Sequence, residues 1–128
     1  MSFKQRWFSD KLKKKAAKGL VGYPVATVAF YGPDDQRASK VAVSIILEGT
    51  KTAHLERWYS KENDVRAEPR ITEAILRYVR AHKARSVVLT DRIIGCPHEE
   101  GKDYAMGERC PRCPFWATRD RWTGEVIQ

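Results

Sequence analysis

Residues 69–90 read PRITEAILRYVRAHKARSVVLT, and this stretch decides the fold. Pro69 suits the first position of a helix, where a missing N–H leaves no hydrogen bond unmade. Ile71, Ala74, Ile75, Tyr78, Val79 and His82 then recur at helical spacing, while Glu73 and Arg77 form an i,i+4 pair on the other face. Arg85 to Thr90 (RSVVLT) is short and apolar, the pattern of a strand buried within a sheet. A helix leading directly into such a strand predicts a crossover connection. Crossovers are almost always right-handed, so this strand is expected parallel to its neighbour and inside the sheet.

Working outward, Pro24 to Tyr31 (PVATVAFY) is rich in β-formers and runs into the turn residues GPDD at 32–35. Across Ser39 to Leu47, Val41, Val43, Ile45 and Leu47 alternate with Lys40, Ala42 and Ser44, a second strand forming a hairpin with the first. EGT at 48–50 is a further turn, and Thr52 to Tyr59 reads as a more polar edge strand. The expected class is α+β, with a mixed sheet of about four strands in the sequence order β-β-β-α-β. Spatial order 3-2-1-4 is its natural solution.

The chain has 128 residues, enough for one well-buried core and too few for two. No segment approaches the roughly 18 to 20 apolar residues of a membrane-spanning helix, and the N-terminus has no apolar export signal. These readings make a cytoplasmic protein the expectation. Lys and Arg outnumber Asp and Glu by 24 to 16, a formal charge of +8 that favours polyanions. Charge alone leaves DNA, RNA, an acidic protein partner and an anionic membrane open.

Ser2 to Lys18 lacks proline and glycine and puts Phe3, Trp7, Phe8, Leu12 and Ala16 on one helical stripe. Lysines including Lys11, Lys14, Lys15 and Lys18 surround it, so residues 1–20 are expected to form a basic amphipathic helix. Such a helix either packs on the domain with a solvated lysine face or serves as an arm for nucleic acid or membrane.

The three cysteines all fall within residues 95–116, GCPHEEGKDYAMGERCPRCPFW. An odd set of three without an export signal argues against a disulfide framework and for reduced, metal-bound thiolates. Cys96-x-His98 and Cys110-x-x-Cys113 offer four ligands, the number used by a closed tetrahedral zinc site. The half Cys110-Pro-Arg-Cys113 resembles the knuckle of zinc ribbons, in which backbone N–H groups point at the first sulfur. Pro114 stands where those knuckles usually carry glycine, and having no N–H it departs from the standard ribbon.

Two other chemistries compete. Cys110 and Cys113 as a redox pair would leave Cys96 and His98 without a role. His98-Glu99-Glu100 with Cys110-x-x-Cys113 is similar to the H-x-E and C-x-x-C of zinc deaminases, with Glu100 as proton shuttle. Against that, Arg109 precedes the first cysteine of the pair where deaminases have proline, and Cys96 would fill the position a catalytic zinc keeps for water.

The β-β-β-α-β order resembles the first half of the ribonuclease H-like fold, which implies a nuclease with carboxylate-held metal. Asp91, placed after the fourth strand, and Glu73, on the crossover helix, match two of its acids. The first strand has none, with Asp34 and Asp35 only at its end, so the set is incomplete. A hydrolase of either kind therefore stands as the alternative to a binding protein.

After the cysteines, Arg109, Arg112, Arg119 and Arg121 interleave with Phe115, Trp116 and Trp122. This mixture stacks on bases and contacts phosphates, and it serves equally as packing around a zinc loop. GCPHEEG-x-DY, CP-x-CPFW and DRWTG together resemble the signature of a family of small bacterial zinc-binding proteins with no established activity. The resemblance extends through YGPDDQRASKVAV and VVLTDRIIG, implying the metal cluster and a one-domain chain but no substrate.

The sequence thus leads to one domain, with a basic helix over 1–20, an α+β core over 21–94 and a zinc-binding loop and tail over 95–128. Its expected function is binding, with Zn2+ at Cys96, His98, Cys110 and Cys113. The nucleic-acid contacts would be Lys11, Lys14, Lys15, Lys18, Arg112, Arg119, Arg121 and Trp122.

Overall fold

The computed structural model describes residues 21–49 and 52–118, together with Lys14. The helix expected over 1–20 lies outside the described residues except for Lys14, which is exposed. Arg119, Arg121 and Trp122 lie outside them too.

The described chain runs β1 (Val25–Tyr31), β2 (Lys40–Ile46), β3 (Thr52–Tyr59), α1 (Pro69–Ala81) and β4 (Ser86–Ile93). The strands form one mixed sheet in the order β3-β2-β1-β4. β1 and β2 pair antiparallel from Val25↔Ile46 to Tyr31↔Lys40, and β2 and β3 pair antiparallel from Lys40↔Tyr59. β4 lies parallel to β1, as the crossover rule requires.

Two expectations need correction at β4. It forms an edge of the sheet, not an interior strand, because after Ile93 the chain turns into the cysteine loop and supplies no further strand among the described residues. It also continues past Thr90 to Ile93, so Asp91 sits within the strand and not after it. Backbone pairing explains the extension: after a register shift between Val28 and Phe30, Phe30 pairs with Ile93, and the Ile94 N–H donates to the Phe30 carbonyl at 2.9 Å. Hydrogen bonding to β1 carries the strand through two charged residues that interrupt its apolar pattern.

The pleat sorts side chains onto two unlike faces. Ala26 and Val28 of β1, Val41, Val43 and Ile45 of β2 and Val87 of β4 join Ile71, Ile75, Leu76 and Val79 of α1 in one buried cluster. Each fully buried aliphatic side chain there contributes roughly 1.5–3 kcal/mol. Glu73 bonds Arg77 at 2.6 Å on the outer side of α1, as its spacing predicts. His82 is the C-cap residue, its ring edge-to-face with Tyr78 and tilted against His54 of β3.

The opposite face of the sheet carries Thr27, Ala29, Ala42 and Ser44 down its centre, with Leu55 and Arg57 beside them on β3. These short side chains leave a groove of about 480 Å³. Cys96, His98, Glu99 and Glu100 of the following loop also line the groove.

Candidate metal centre

β4 delivers the chain into residues 95–116, and five contacts fasten this loop to the sheet. The Gly32 N–H donates to the Gly95 carbonyl at 2.9 Å, and the buried indole Nε1 of Trp116 donates to the Gly32 carbonyl at 2.7 Å. Lys40 Nζ donates to the Pro97 carbonyl at 3.0 Å and approaches Glu99 Oε2 at 3.6 Å. Arg57 donates to Glu99 Oε1 at 2.7 Å.

Gly32 is the hinge of this attachment. A Cβ there would collide with the backbone carbonyl of Arg37 across the tight β1–β2 turn. Asp34 stabilises the same turn by accepting from the N–H groups of Gln36 and Arg37. The aspartates at the end of β1 therefore work as turn residues.

Within the loop, Cys96 Sγ, Cys110 Sγ and Cys113 Sγ lie 3.2, 3.3 and 3.5 Å from His98 Nδ1. The four ligand atoms all fall within 4.8 Å of one another, and among the described residues this is the one cluster of its kind. A tetrahedral ion with bonds of about 2.3 Å to sulfur and about 2.0 Å to nitrogen spaces its ligands by roughly 3.5 to 3.8 Å. The observed set fits such an ion with small adjustments, so Cys96, His98, Cys110 and Cys113 could hold a metal.

The thiols differ in their surroundings. Burial pushes the Cys96 thiol far above its usual value, and burial likewise raises Cys113. Burial acts the same way on Cys110 but is outweighed there, since the backbone N–H groups of Arg112 and Cys113 and the other two thiols all stabilise its thiolate. Backbone donors at these two positions are what the resemblance to a zinc-ribbon knuckle leads one to expect. Both precede Pro114, so the departure from the usual glycine removes neither of them. The Cys96 sulfur receives a similar bond from the His98 N–H at 3.3 Å.

The adjacent glutamates are engaged elsewhere. Glu99 is shared among Lys40, Arg57 and Lys102, and its carboxyl is held low: burial opposes this, but Arg57 and Lys40 prevail. Glu100 Oε2 accepts from the Gly107 N–H at 3.0 Å, which closes the turn between the two ligand pairs. A deaminase-like shuttle would need one of them free beside an open coordination position. Four converging protein ligands leave no such position.

Cys96, Cys113 and Trp116 belong to the same buried cluster as the sheet and α1, with Phe115 packed against it edge-to-face with Trp116. Arg112 and Arg109 are exposed on the loop. Of the residues expected to touch nucleic acid, Arg112 and Lys14 alone are described, and both are exposed. What sequence reasoning missed is Lys40. It occupies a polar position of β2, yet it is 4% exposed between the rings of Tyr31 and Tyr59, with burial lowering its pKa against the pull of Glu99. Alternation marked its face, but only the folded loop shows that this face is covered.

Among the described residues no helix is long and apolar enough to cross a membrane. Comparison with protein-family models, curated proteins and solved structures finds no match to the chain in any of the three.

Proposed function

We propose that the chain is a small zinc-binding protein whose Cys3His centre is structural and which acts as a nucleic-acid-binding module. The observation that carries the metal reading is the convergence of Cys96, His98, Cys110 and Cys113 in a loop anchored to the sheet. Three thiols with one imidazole favour zinc over hard cations, which prefer oxygen. Zinc bound by all four side chains would supply folding free energy to a loop that has little regular structure of its own.

Binding is favoured over catalysis because both glutamates beside the centre are held by other groups. Of the acids in the ribonuclease H comparison, Glu73 pairs with Arg77, and Asp34 and Asp35 bond within their turn. Nucleic acid is the preferred partner on the strength of the +8 charge and the basic segments at 1–20 and 109–121.

The test is a titration of oligonucleotides with zinc-loaded protein over a salt series. Binding that weakens steeply with salt supports the proposal, and no binding to DNA or RNA at low ionic strength overturns it. Chelation should release one zinc per chain and reduce the loop's order. Retention of a folded loop without metal would contradict the structural role.

A further inference from the structure

We infer that the end of the sheet opposite the metal loop, where α1 finishes and β1 and β4 begin, binds the phosphate backbone of a nucleic acid. This rests on the nucleic-acid-binding function proposed above and gives it a place on the fold.

The chain gathers cations at this end. Arg80 is in the last turn of α1, Lys83 follows the His82 cap and Arg85 immediately precedes β4. All three are exposed, and among the described residues none of their side chains makes an ion pair or a hydrogen bond. Glu48, in the turn after β2, is the one described acid at this end. Glu56 sits midway along β3, and Glu73, two turns back on α1, is already bonded to Arg77 at 2.6 Å. Around the metal loop, by contrast, Glu99, Glu100 and Asp103 balance Lys40, Arg57 and Lys102. Unbalanced positive charge on an exposed surface attracts phosphate.

Lys83 carries a second observation. α1 closes with the Ala84 N–H donating to the Val79 carbonyl at 3.1 Å and the Lys83 N–H to the Arg80 carbonyl at 3.0 Å. This Schellman arrangement places Lys83 at a φ of 54°, the left-handed position that glycine fills without a Cβ penalty. Lysine there lowers stability relative to glycine, and its exposed ammonium finds no partner within the described fold to offset this. A residue strained in this way and aimed at solvent is one whose use lies outside the fold.

The third observation is where the N-terminal segment joins. The Ser86 hydroxyl accepts from the Val21 and Gly22 N–H groups at 2.8 and 2.9 Å and donates to the Gly22 carbonyl at 2.7 Å. The Arg85 N–H donates to the Pro24 carbonyl at 2.8 Å. A Cβ on Gly22 would come within 3.0 Å of the Arg85 guanidinium, so that head lies over the point of entry. Residues 1–20, which connect there, contain seven Lys and Arg and one acid, Asp10. Covalent connection alone starts this basic segment beside Arg85. Tyr23, next to Gly22, is 40% exposed and offers a ring on which an unpaired base can stack.

The experiment titrates zinc-loaded wild type and variants with labelled single-stranded and duplex oligonucleotides over a salt series. One variant combines Arg80→Gln, Lys83→Gln and Arg85→Gln. A charge-matched control combines Lys61→Gln, Arg70→Gln and Lys102→Gln, all exposed and all near the metal end. Unchanged metal content and circular dichroism will show that both keep the fold. On whichever oligonucleotide the wild type binds, the first variant is expected to bind about tenfold or more weakly, with a log–log salt slope shallower by about 2 to 3. The control is expected to change affinity by less than about threefold. Lys83→Gly is expected to raise the melting temperature while lowering the slope by about 1, because the backbone strain and the phosphate contact are lost together.

Equal weakening in the two triple variants, or none in the first, would overturn the assignment while leaving nucleic-acid binding standing. Lys83→Gly with unchanged binding would remove Lys83 from the surface and overturn the reading of its backbone. Failure of the wild type to bind any oligonucleotide at low salt would remove the function and this site with it. Binding instead to vesicles containing phosphatidylglycerol would give the surface to a membrane and overturn the proposal.

Discussion

Trp116→Phe isolates the attachment between the metal loop and the sheet. The indole N–H donates to the Gly32 carbonyl at 2.7 Å in a buried setting, and the ring belongs to the central cluster. Phenylalanine keeps an aromatic ring but has no donor. Leaving the buried carbonyl without its partner costs about 1–3 kcal/mol. The smaller ring opens a void of roughly 40 Å³, which adds about 1 kcal/mol at ~24 cal/mol per Å³. The sum is about 2–4 kcal/mol. With a urea slope near 2 kcal/mol per molar, usual for a small protein, the unfolding midpoint should fall by roughly 1–2 M. The assay is equilibrium urea unfolding of zinc-loaded protein followed by far-UV circular dichroism, with metal content measured alongside. Zinc should remain bound one per chain before unfolding, because no ligand has been touched. An unchanged midpoint would refute the claim that this hydrogen bond couples loop to sheet, and zinc loss from the folded variant would show that Trp116 supports the ligands directly.

Three further outcomes follow from particular contacts. Gly32→Ala should be strongly destabilising, by about 2–3 kcal/mol, since its Cβ meets the Arg37 carbonyl and the backbone must shift; thermal unfolding checks this. Asp64 accepts from the N–H groups of Ala38 and Arg66 and pairs with the Arg66 side chain; burial works against these bonds, but together they depress its pKa. A depressed acid stabilises the fold above its unfolded value and loses that contribution as pH falls through its folded value. Asp64→Ala should therefore cost about 1–2 kcal/mol at neutral pH, with the gap from wild type closing as pH drops below the ordinary aspartate range. Metal binding requires thiolates, so zinc affinity should fall as pH is lowered and uptake should release protons. A pH-independent affinity, measured by competition with a chromogenic chelator, would contradict thiolate ligation.

The sequence reveals those parts of the molecule that depend on local pattern. Pro69 and the 3.6-residue spacing from Ile71 to Val79 mark α1, and alternation from Val41 to Ile45 marks β2. The two ligand pairs are legible because Cys-x-His and Cys-x-x-Cys each place their donors within one turn of chain. What stays hidden depends on partners distant in sequence. β4 runs past Asp91 and Arg92 because β1 pairs with it again at Ile93, which no reading of RSVVLT alone reveals. Lys40 is buried because a loop more than fifty residues later folds over it. Glu99 reads as one of two neighbouring acids, and its position between Lys40 and Arg57 is set only by docking of the loop on β2 and β3. Pro114 departs from the usual knuckle pattern, yet Cys110 keeps backbone donors, because these are Arg112 and Cys113.

The account depends most on a metal held by four protein side chains. X-ray absorption at the zinc edge, on protein purified without chelator and carrying one zinc per chain, tests this directly. The account predicts three sulfur ligands at about 2.3 Å and one imidazole nitrogen at about 2.0 Å. A first shell with two sulfurs and a water oxygen, or protein that carries no metal, would contradict it.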